Sequence, residues 1–199
     1  MSNRLAQFLS YLLHPAIIPT LGSLLVLTTI PEHVTEQQIW YISAFVLLST
    51  YFMPAIVSVV MRRLGIISSL HMKDPKDRKY PFLVSIAFFL ITANRLSGEE
   101  VPEEIIRLLL ASAGTILLFY ALLRVTKLSV HLAGIGGLTA VAIYLSHNYQ
   151  VMMLEVIALL ILLSGLLGTA RLTLRAHTPM QVWVGYACGF GFTYLALFF

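Results

Sequence analysis

Charge is scarce in this chain. Asp, Glu, Lys and Arg make up 11% of its 199 residues, against 58% hydrophobic ones, whereas a soluble domain carries about 25% charged residues. Together with a mean hydropathy of +0.86, the shortage excludes a water-soluble globule and points to the bilayer. Cysteine is almost missing: Cys188 stands alone inside an apolar segment, which rules out a disulfide framework and a cysteine metal site. The short-period alternation of apolar and polar residues that a membrane β-barrel needs is missing too. The first apolar run lacks a basic n-region and a small-residue cleavage site, so it reads as a span rather than a signal peptide. No linker, repeat or low-complexity stretch interrupts the chain, and residues 1–199 are expected to form a single membrane-embedded domain.

What is present is a series of apolar runs at about 8–30, 39–61, 81–95, 105–124, 131–147, 151–170 and 182–199. Most reach the roughly 17 to 25 residues of a transmembrane helix, and the third and fifth are short for one. The expected fold class is all-α, a polytopic transmembrane helical bundle of six to seven spans. Counting crossings puts the N-terminus, the 62–81 piece, RVTKLSVH (124–131) and RLTLRAHTPMQ (171–181) on one face. That face collects all of the thirteen Lys and Arg residues except Arg95 and Arg107, with Asp74 and Asp77 its only acids. The opposite face holds Glu32, Glu36, Glu99, Glu100, Glu103 and Glu104.

Two readings fit this asymmetry. Basic residues mark the cytoplasmic side of membrane proteins, and that alone accounts for a basic loop. An anion site accounts for it as well, and the histidines favour this, because His131 and His177 lie on the same face, each where a helix begins. By the charge rule the basic face is expected in the cytoplasm, for a protein expected in a bacterial inner membrane.

These pieces resemble the three signature motifs of the type 2 phosphatidic acid phosphatase superfamily, which includes membrane lipid phosphatases, glucose-6-phosphatase and vanadium haloperoxidases. The third motif of that family is Arg, five residues, His, three residues, Asp; here Arg171, LTLRA, His177, TPM and Gln181 take those places. Its second motif, Pro-Ser-Gly-His, is matched by Ser129-Val130-His131 without the Pro or Gly. Its first, Lys, six residues, Arg-Pro, is matched by Lys73, six residues and Tyr80-Pro81, with Arg78 and Lys79 just upstream of the displaced arginine. The resemblance covers roughly residues 60 to 190. It implies a metal-independent hydrolase with this superfamily's architecture, acting on an anionic phospholipid or polyprenyl phosphate and needing no cofactor. Membrane lipids are then the partners, and nucleic acid is not.

The chemistry stands without the name. A phosphate ester needs a nucleophile in line with the leaving oxygen and cations preorganised around the charge. Neutral His177 can attack phosphorus, with Gln181 on its other ring nitrogen, and His131 can protonate the leaving alkoxide and later activate water. Lys73, Arg78 and Arg171 would hold the non-bridging oxygens, with Ser129 donating its hydroxyl at the start of the fifth segment.

Blander readings apply to the same residues. Thr178-Pro179-Met180-Gln181 is also a helix-start signature with Gln181 closing a capping box. Lys76, Arg62, Arg63, Lys127 and Arg175 read as headgroup residues, AGIGG as a close-packing stretch, His14-Pro15 as a kink and His71 as interfacial. With Tyr80 and Gln181 in place of the family's Arg and Asp, a catalytically inactive relative that binds or moves an anionic lipid is the alternative.

Overall fold

The structure is a computed structural model that describes residues 1–30, 34–70, 72 and 74–199. Lys73, His71 and Glu32, singled out above, lie outside the described residues. Among those described there is no strand. The helices are α1 (Asn3–Leu12), α2 (Ile18–Thr29), α3 (Glu36–Leu47), α4 (Met53–Arg63), α5 (Pro75–Leu96), α6 (Glu103–Leu122), α7 (Val130–Asn148), α8 (Leu154–Thr173) and α9 (Pro179–Phe198). Six stretches are long and apolar enough to cross a membrane: α1 with α2, α3 with α4, and α6, α7, α8 and α9 singly. This is an integral membrane protein, and α5, whose first turns are charged, is its seventh long helical stretch.

The first two stretches are jointed, for local reasons. Between α1 and α2 the chain makes one 3-10 turn at Pro15–Ile17, because a residue before proline is pushed out of the helical region. His14 caps this turn, its Nδ1 accepting from the Ala16 N–H at 3.3 Å. In the second stretch, Pro54 lacks the N–H an α-helix needs, and the preceding turn widens to π type over Leu48–Phe52. The wide turn carries Tyr51 to His14, ring centroids 6.0 Å apart.

Helix α7 is the centre. Two thirds of it is buried (67%), against 17% of the α3–α4 stretch, which suits a helix apolar on every side. Its tightest seam is with α9, and glycine makes it possible. A Cβ at Gly136 would meet the Tyr186 carbonyl oxygen at 2.5 Å, one at Gly185 the Ser129 carbonyl oxygen at 2.7 Å, and one at Gly189 would overlap the Ala133 carbonyl. Small residues let two helix backbones touch where no larger residue fits. Helix α5 packs on α6, and α1 lies along α8.

The crossing count made from the sequence describes this bundle. The N-terminal helix, Leu70 and Arg78 at the start of α5, Lys127 and the end of α8 gather at one end. At the other end the acids pair off: Arg95 with Glu99 at 2.8 Å, Arg107 with Glu103 at 3.1 Å, and Glu104 accepting from the Tyr149 hydroxyl at 2.6 Å.

Candidate anion site

At the basic end lies a cavity of about 820 Å³. Its polar walls are Gln7, Ser10, Tyr11, His14, Arg78, Lys127, His131, Arg171 and Arg175, and no carboxylate lines it among the described residues.

Each cation is placed by local structure. Asp74 caps α5 by accepting from the Lys76 N–H at 2.8 Å, and Pro75 occupies the first helical position. Asp77 accepts from the Ser68 N–H at 2.8 Å and the Ser68 hydroxyl at 2.5 Å, tying the 64–70 segment to this helix start. One turn along, Arg78 donates Nε–H to the Met72 carbonyl at 3.1 Å. Its Nη groups have no partner among the described residues. Tyr80, in the place of the family arginine, is instead 44% exposed beneath Lys79.

Arg171 sits in the last turn of α8, where the helix dipole favours a cation. Its Nη1 donates to the Ser10 hydroxyl at 3.2 Å, while its buried Nε has no partner among the described residues. A buried guanidinium N–H without an acceptor costs free energy that an incoming anion would recover. Helix α8 then ends in a Schellman turn: the Ala176 N–H donates to the Arg171 carbonyl and the Arg175 N–H to that of Leu172. Arg175 therefore takes the left-handed position, at φ 50°, which glycine normally fills. Arg175→Gly is expected to raise thermal stability in detergent by about 1 kcal/mol, and to weaken phosphate binding because a cation leaves the wall. A variant that binds inorganic phosphate as well as wild type would remove Arg175 from the site.

The histidines are fixed by backbone carbonyls. His131, second residue of α7, donates Nε2–H to the Ser10 carbonyl at 3.2 Å. His177 is 8% exposed, and its Nδ1 lies 2.9 Å from the Lys127 carbonyl oxygen. A carbonyl only accepts, so Nδ1 carries the proton and Nε2 keeps its lone pair; Nε2 has no partner among the described residues. Burial, with Arg78 and Arg171 nearby, lowers the His177 pKa from 6.5 to about 4. Burial, then Arg78 and Arg171, also lowers that of Lys127, with Asp74 opposing.

The depressed His177 value has a consequence for folding. Between about 6.5 and about 4 the unfolded chain holds a proton on this ring that the folded chain does not, so stability falls as pH drops through that window. The melting temperature in detergent is expected to fall more between about pH 7 and about pH 5 for wild type than for His177→Asn. Equal falls would show that the ring is not buried neutral.

Gln181 and Ser129 are placed otherwise than the catalytic reading expects. Gln181 closes a capping box: its Oε1 accepts from the Thr178 N–H at 3.1 Å, and its own N–H donates to Thr178 Oγ1 at 3.4 Å. Its Nε2 reaches Thr126 Oγ1 at 3.4 Å. The amide makes no bond to His177, and the Lys127 carbonyl orients that ring instead. Ser129 is 0% exposed; its hydroxyl caps α7 by accepting from the Leu132 N–H at 3.5 Å, and its N–H donates to the Gln181 carbonyl at 3.2 Å. It holds the starts of α7 and α9 together and does not line the cavity.

Six polar residues of the cavity carried no site assignment from sequence, Gln7 and Tyr11 among them. Lys127 and Arg175, read as headgroup residues, stand on the wall, as do Ser10 and His14. A histidine before proline was a signal for His14; Ser10 had none. Among the described residues no group of three or more His, Cys, Asp or Glu side chains could hold a metal ion.

Comparison with protein-family models, with curated proteins and with solved structures finds no match to this chain.

Proposed function

We propose that the cavity binds the phosphate headgroup of a membrane lipid, a lipid phosphate or a polyprenyl pyrophosphate, and hydrolyses it without a metal through a phosphohistidine. One observation carries the reading: among the described residues Arg171, its buried Nε unpartnered, stands in a cavity lined by no carboxylate, beside Arg78, Lys127, Arg175 and two imidazoles. In this mechanism His177 Nε2 attacks phosphorus, the P–N bond forms and the bond to the leaving oxygen breaks. His131, held by Ser10 through Nε2, takes the proton of the substrate's phosphate monoanion on Nδ1 and passes it to that oxygen. Nδ1 then takes a proton from water as water attacks phosphorus, the P–N bond breaks, and phosphate leaves with His177 neutral again. The arginines and Lys127 hold the equatorial oxygens throughout. The basic bias of this end supports a cytoplasmic location for it.

A second reading, an inactive protein that binds an anionic lipid, is favoured by one fact: the Gln181 amide is committed to its capping box, and among the described residues a main-chain carbonyl, not a carboxylate, orients His177. Phosphate release from a panel of lipid phosphates and prenyl diphosphates, with EDTA present and vanadate as inhibitor, decides between them. Release that survives EDTA and is blocked by vanadate supports the enzyme. Binding of the same lipids without release supports the second reading.

A further inference from the structure

The cavity has two polar ends joined by one guanidinium. At one end stands Lys127, whose carbonyl holds His177 behind the cavity wall, and Arg78 acts electrostatically on both. At the other, Ser10 receives His131 on its carbonyl at 3.2 Å, and His131 meets His14 edge to face, ring centroids 5.7 Å apart. Arg171 spans them: it bonds the Ser10 hydroxyl at 3.2 Å and acts on His177 and Lys127 as well.

His14 has a fixed hydrogen-bonding sense. Its Nδ1 accepts from the Ala16 N–H, so in the neutral ring the proton sits on Nε2. The turn it caps requires only an acceptor, which Asn, Asp or Ser would supply. An imidazole here adds a second polar atom, a donor, to a wall of the anion cavity. About 820 Å³ falls in the upper part of the range of about 300 to 1,000 Å³ that accommodates whole small molecules, more than one phosphoryl group fills.

We propose that this end is a second anion subsite, in which the His14 Nε2–H, with Arg171 shared between the ends, holds the second phosphoryl group of a diphosphate headgroup. The inference rests on the cavity being an anion site, and not on hydrolysis. Where hydrolysis occurs, the distal phosphoryl group lies at the His177 end and is attacked there. The lipid monophosphate, held at the His14 end, is the leaving group, and the His131 proton goes to the bridging oxygen.

The test compares inorganic pyrophosphate with inorganic phosphate, and a prenyl diphosphate with the matching prenyl monophosphate, for binding to the full chain in detergent with EDTA. Wild type is expected to prefer the diphosphate by about tenfold or more, as a hydrogen bond to a charged group allows. His14→Asn keeps the turn's cap and leaves no donor at the Nε2 position, its own amide N–H groups lying nearer the backbone, and is expected to bring that preference within about threefold. Arg78→Gln is expected to weaken both ligands together and leave the ratio standing. Preference in either pair supports the subsite, and the pair that shows it identifies free or lipid-borne diphosphate as the source. No preference in wild type overturns the proposal whatever the variants do, and so does a preference left intact in His14→Asn. Diphosphate preference without any phosphate release would sink the hydrolytic reading alone and leave the subsite.

Discussion

His177→Ala is expected to lower phosphate release from a lipid phosphate by about a thousandfold or more, because removing a nucleophile removes the covalent route. The structure allows a cleaner variant beside it. The only hydrogen bond of the His177 side chain among the described residues runs from Nδ1 to the Lys127 carbonyl, and an Asn amide can donate to the same oxygen. His177→Asn therefore keeps the tie between the 123–129 and 174–178 segments and loses the nucleophile. Both variants should extract folded, with Asn closer to wild type in melting temperature. If either keeps more than about a tenth of wild-type turnover, the phosphohistidine mechanism is wrong.

The second large effect belongs to Arg171. Arg171→Gln is expected to cost about a hundred- to a thousandfold in kcat/KM, the range found when one preorganised donor to a developing anion is lost. Arg171→Lys should recover less than about a tenth of the wild-type value, since an ammonium cannot bond Ser10 and also present a planar fork to two oxygens. Stability should move the other way. The guanidinium is half-buried near Arg78 and Lys127 with no acid paired to it among the described residues, and Ser10 keeps its bond to the Ala6 carbonyl at 2.9 Å without it. A slower but more heat-stable Arg171→Gln is thus the expected pair of results. A rate within about threefold of wild type would mean that Arg171 serves the membrane rather than the ligand.

The bundle and its basic end were legible in the sequence because both depend on long-range regularities, apolar run length and the parity of crossings. Helix α5 begins several residues before its apolar run, at Pro75, because Asp74 and Pro75 supply a start signal that hydropathy ignores. The site was legible only in part. Arg78, Arg171 and His131 line the cavity as their positions suggest, and His177 stands behind it. Ser129 and Gln181 carry side chains that serve two trades equally well, and here their own helix starts claim them. The group that orients His177 is a main-chain carbonyl, which any residue at 127 would offer, so no sequence pattern can show it. Ser10 and His14 reach the cavity only because the first span bends at Pro15 and lays α1 against α8.

The glycine seam between α7 and α9 also sets where this site can yield. Contact there is backbone on backbone, at Gly185 and Gly189 of α9 and Gly136 of α7, so it has no rotamers to exchange and no side chains to compress. His131 and His177 hang from the starts of these two helices, and their separation is stiff. The opposite wall is hung from α1, which joins its span through a single 3-10 turn. Any yielding of this cavity is therefore expected on the α1 side, at Pro15, rather than between the two imidazoles.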